Sequence, residues 1–205
     1  MLAELNLATI GMAGNASGIF LGILPLALLG VLVVAVVHLI WVVVRRRGAV
    51  PRSSWGWWAC LVYLGTLASV AVLGITSFVA MIRFGILGGW WLFIHMFGAG
   101  VFTFVLPLLA VTWCEANRFG RPPQPAGAEG QEQPARFLRL AKFMFWVILA
   151  AGLIVIVTMI LSMLTVFGTE GLTLLLDIHR YAGLAVVAAT VLHLYAALLP
   201  RFGLS

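Results

Sequence analysis

Four histidines, His38, His95, His179 and His193, are the side chains of this 205-residue chain best suited to chemistry. Each lies about one and a half to two turns from the end of a long apolar run. His179 and His193 share one run and stand 14 residues apart. On a helix that spacing spans about 21 Å, and fourteen steps of about 100° return to nearly the same face. One helix therefore presents two imidazoles to a common interior at two depths. Neutral imidazole is a common metal ligand and a strong axial ligand for haem iron. Ionisable groups inside a bilayer are costly enough to point to function.

The elements that must position these side chains are membrane helices. The chain is 63% hydrophobic and 9% charged, against about 25% charged in an ordinary soluble domain. Apolar runs fall at about 18–44, 57–82, 88–114, 143–168 and 173–199. Each is long enough to cross a hydrocarbon core of about 30 Å. The expected fold is all-α, an integral membrane bundle of five transmembrane helices. Residues 1–51 form an N-terminal helix and turn, and residues 52–205 form a four-helix core. Segment 115–135, rich in Pro, Gly, Gln and Ala, reads as a flexible linker between the third and fourth spans. The N-terminus has no basic leader region, with Glu4 its only charge, so the first span is expected to be retained. No internal repeat is evident.

Net charge is +6, but its distribution reports topology rather than nucleic-acid binding. With the N-terminus outside, the inner side carries Arg45, Arg46, Arg47, Arg52, Arg118, Arg121, Arg136, Arg139, Lys142 and Arg201. The outer side keeps Arg83 and Arg180. That bias predicts a periplasmic N-terminus and a cytoplasmic C-terminus in a bacterial inner membrane. Trp55, Trp57, Trp58, Trp90 and Trp91 stand where interfacial aromatic belts form. Cys60 and Cys114 have no metal-type spacing and read as buried small apolar residues.

Topology sorts the histidines by depth. His95 and His179 fall near the outer surface, and His38 and His193 near the inner one. Each pair suits a bis-histidine haem, with Nε2 on iron and Nδ1–H held by a neighbour. Zinc fits less well, because each pair lacks a third and fourth ligand. Packing histidines are the bland alternative, and four that pair by depth argue against it. Arg180 and Arg83 are candidate contacts for anionic haem propionates, with headgroup anchoring the competing role. Trp41, Arg45 and Tyr195 are candidates for a quinone site beside the inner pair.

The fifth run, LLLDIHRYAGLAVVAATVLHLYAALLP, resembles the last helix of the bacterial di-haem cytochrome b family. That family includes the formate dehydrogenase gamma subunit and the nickel–iron hydrogenase cytochrome b. The shared features are His179, Ala182, Gly183, His193 and Tyr195. GGWWLFIHMFGAGVFTFVLPLLAV, with His95, looks like the family's second helix. The likeness covers roughly residues 52–201. The family's first core helix carries a histidine near its cytoplasmic start, whereas PRSSWGWWACLVYLG has none. His38, on the additional helix, is read as its substitute.

The resemblance implies a membrane electron-transfer subunit carrying haem b, two expected and one at minimum, with quinone as exchangeable substrate. It implies a periplasmic iron–sulfur or c-type cytochrome partner, because no iron–sulfur motif is present here. A cofactor-free membrane anchor is the alternative. A proton-relay transporter is disfavoured, since the spans hold few acidic or amide side chains.

Overall fold

The computed structural model describes residues 2–45, 55–119, 139–164 and 166–198, with the backbone alone at 2–17, 42, 43, 45 and 198. The described residues form five helices: α1 Leu2–Arg45, α2 Trp57–Phe84, α3 Gly89–Trp113, α4 Arg139–Ser162 and α5 Thr169–Leu198. All five are long and apolar enough to span a membrane. The protein is an all-α, multi-pass membrane protein.

Helix ends differ from the apolar runs for identifiable reasons. α4 stops at Ser162 although the apolar run continues to residue 168, because Met163, Leu164, Val166 and Phe167 belong to a turn as hydrophobic as the helix before it. α2 ends in a left-handed glycine, Gly85 at φ 71°, whose N–H donates to the Met81 carbonyl at 3.0 Å. Such a C-terminal cap favours glycine because a Cβ would strain the backbone. The expected linker begins later than position 115. Residues 114–117 form a turn that buries Asn117, whose carbonyl accepts Trp146 Nε1–H at 3.2 Å. The rest of the expected linker, residues 120–135, lies outside the described residues.

α2 packs along α3 and α4 along α5, giving two tight antiparallel hairpins. These hairpins meet more lightly, through α2 with α5 and α3 with α4. The order around the core is therefore α2, α3, α4, α5, which places α3 diagonally opposite α5. α1 lies outside this core against α5, running in the same direction, as the contacts Phe20–Tyr181 and His38–Tyr195 require. Phe20 and Leu24 of α1 pack with Met81 and Leu184.

Lipid tails are as apolar as leucine, so close packing rather than water exclusion holds such helices together. Small residues sit where the helices approach: Gly74 beside Val187, Gly98 beside Val72, and Gly152 beside Leu106 and Phe102. The two halves of the interior are filled differently. Towards the linker end, Val62, Tyr63, Val70, Phe102, Leu106, Leu109, Trp113, Phe145, Ile148, Val186 and others form one apolar core. Towards the end that carries the α2–α3 and α4–α5 loops, the buried residues on the core helices are mostly small: Thr76, Ala80, Gly98, Ala99, Thr158 and Ala182.

Candidate functional site

The loop-end half, poor in large side chains, is where His95 and His179 project. They come from α3 and α5, the diagonal pair of the core. Both remain only partly buried. Gly183, one turn beyond His179, has no atom within 4 Å of where a Cβ would stand, so the helix surface beside His179 is open there. Gly98, one turn beyond His95, is instead tight against Val72 of α2.

Each imidazole is tied to the other helix of its own hairpin. His95 Nδ1 lies 3.1 Å from Thr76 Oγ1, with Ser77 Oγ at 3.5 Å. His179 Nδ1 lies 3.1 Å from Thr158 Oγ1. Helical threonines in a membrane commonly return their hydroxyl proton to a carbonyl one turn back. Thr76 does so to Val72 at 2.7 Å, and Thr158 to Ile154 at 2.8 Å. These threonines and Ser77 are site residues that composition and spacing did not flag. A signal was available: Ile94-His95 followed by Gly98-Ala99 echoes Ile178-His179 followed by Ala182-Gly183. A threonine stands 19 residues before one histidine and 21 before the other, so each hairpin brings a hydroxyl back to its own imidazole.

The linker-end histidines are arranged otherwise. His193 is 3% exposed and donates Nδ1–H to the Ala141 carbonyl of α4 at 2.8 Å. Its ring lies 5.9 Å from Tyr63 and 6.3 Å from Phe145. His38 lies 3.2 Å, through Nδ1, from the Tyr195 hydroxyl and 5.8 Å from the Trp41 ring. Residues 193 and 195 differ by about 200° around a helix. His38 thus approaches α5 on the Tyr195 side, while His193 leaves it towards α2 and α4.

Among the other candidates, Arg180 forms an ion pair with Asp177 at 3.1 Å, one turn away on α5. Arg83 is exposed in the last turn of α2, at the loop end. Trp41 is half exposed, and the Arg45 side chain lies outside the described residues. Trp57 and Trp90 are largely exposed, as interfacial anchors would be, whereas Trp55 turns inward onto Trp113 at 4.7 Å. Cys60 and Cys114 are free thiols, only partly buried rather than enclosed. Among the described residues, no three His, Cys, Asp or Glu side chains converge as a metal site.

No family model, curated protein or solved structure matches this chain.

Proposed function

We propose that this protein is a membrane electron-transfer subunit that holds a b-type haem between His95 and His179. The observation that carries the reading is the pair itself: two imidazoles from diagonal helices, each with Nδ1 engaged, in the half of the interior where most buried residues are small. Engagement at Nδ1 leaves Nε2 as the donor atom. Two nitrogens alone make a poor site for a bare ion, but a porphyrin brings four of its own. The open space beside Gly183 suits a flat group. Neither cysteine stands in a Cys-x-x-Cys-His sequence, so attachment would be through the histidines alone.

A haem in this position supplies one-electron chemistry. The chain's own contribution is to orient both imidazoles, to surround them with apolar helix, and to offer Arg83 and Arg180 at the same end. Arg180 would serve a propionate only by sharing its guanidinium with Asp177. The site lies near the loop end, which the distribution of Lys and Arg assigns to the periplasm. A periplasmic iron–sulfur or c-type cytochrome subunit is the corresponding partner, and quinone the exchangeable one.

The contacts around His38 and His193 favour a second haem less than those around His95 and His179 favour the first. Accepting one there would require His38 to leave Tyr195 and the rings beside His193 to part. The proposal therefore counts one haem. Haem content of the purified protein, measured as the pyridine haemochrome, is expected to be one per chain with a low-spin spectrum. His95→Ala and His179→Ala should each abolish that low-spin signal, while His38→Ala should keep it. Haem-free wild-type protein would leave the membrane-anchor reading in its place.

A further inference from the structure

We propose that Thr76 and Thr158 are the positioning residues of this site, each locking its histidine in the Nδ1–H tautomer so that Nε2 faces the interior as a ligand. The inference rests on the haem reading for its purpose but not for its geometry. A hydroxyl has one proton. In Thr76 that proton is directed at the Val72 and Leu73 carbonyls, 2.7 and 3.2 Å away. In Thr158 it is directed at those of Ile154 and Val155, 2.8 and 3.0 Å away. Each Oγ1 is left with lone pairs facing an imidazole nitrogen at 3.1 Å. Only a protonated Nδ1 completes the contact. The opposite tautomer would set two lone pairs against each other and leave the contact without a proton.

The lock is built twice, once per hairpin, but the copies are not equal. Ser77 Oγ stands 3.5 Å from His95 Nδ1 and can take over if Thr76 is lost. Its proton is directed at the Leu73 carbonyl, so it too presents an acceptor. His179 has no second hydroxyl among its described hydrogen bonds. Loss of Thr158 should therefore matter more than loss of Thr76. Removing a hydrogen-bond partner behind a ligating histidine typically weakens metal affinity about 10- to 100-fold and lowers the basicity of the ligand.

The test begins with the full-length, haem-free chain in detergent, labelled with 15N-histidine. Nitrogen chemical shifts are expected to show Nδ1–H and bare Nε2 for both His95 and His179. Thr158→Val should release His179 into a mixture of tautomers, raise the midpoint potential of the added haem and weaken haem binding about 10- to 100-fold. Thr158→Ser should restore all three properties. Thr76→Val should do little until combined with Ser77→Ala. Wild-type His179 carrying its proton on Nε2 overturns the proposal, as does a Thr158→Val protein with unaltered tautomer and potential. A chain that shows the lock but takes no haem overturns the ligand role alone, and the tautomer measurement, made before haem is added, tells the two failures apart.

Discussion

Thr66, Thr103 and Thr190 donate to the carbonyl four residues back, a contact that lets a hydroxyl sit in an apolar helix without further consequence. Thr76 and Thr158 make the same bond and also accept from an imidazole. That difference is invisible in one dimension, because it depends on which helix lies opposite. Gly183 offers an equally small and sharper test. Alanine there meets nothing within 4 Å, so by helix propensity the haem-free protein should gain up to about 1 kcal/mol. Haem loading should nevertheless fall, since the methyl group enters the space beside His179. Thermal unfolding and the haem-to-protein ratio check the two halves separately, and undiminished loading would show that the space does not belong to the cofactor. The histidines were legible because imidazoles are rare and costly in such a sequence. Their hydroxyl partners were not.

At the scale of helices, the five spans were plain from apolar length, and the boundaries were plain only where chemistry changes with the turn. Gly85 and Gly88 mark the α2–α3 turn, but the residues after Ser162 are as apolar as α4 itself. Asn117 shows the opposite error: polar composition reads as linker, although Trp146 holds the residue inside the core. Helix contact is most exacting where α3 crosses α4. A Cβ on Gly152 would come within 2.8 Å of Leu106 and 3.1 Å of Phe102, itself 1% exposed. Gly152→Val should destabilise the protein by about 1–3 kcal/mol, the usual cost of overpacking. Gly100→Ala, which meets no neighbour, serves as the control in the same denaturation series. Equal stability of the two variants would mean that the α3–α4 crossing yields freely.

Across the whole molecule, a core of large side chains joins the two hairpins at the linker end, while at the other the buried residues are mostly small and the large ones, Met81 and Leu184, pack outward against Phe20 and Leu24 of α1. Mechanically this is a pair of tongs, with its pivot in the packed core and its jaws at the α2–α3 and α4–α5 loops. Local opening concentrates where buried contacts are few, so the jaws should open far more often than the pivot. A ligand bridging His95 and His179 would clamp them, stabilising the closed form by mass action. Hydrogen exchange followed by mass spectrometry should then show haem-induced protection in the loop-end halves of α3 and α5. Amides around Phe145 and Val186 should exchange at the same slow rate with or without haem. Uniform protection along all four core helices would instead describe a body without a pivot.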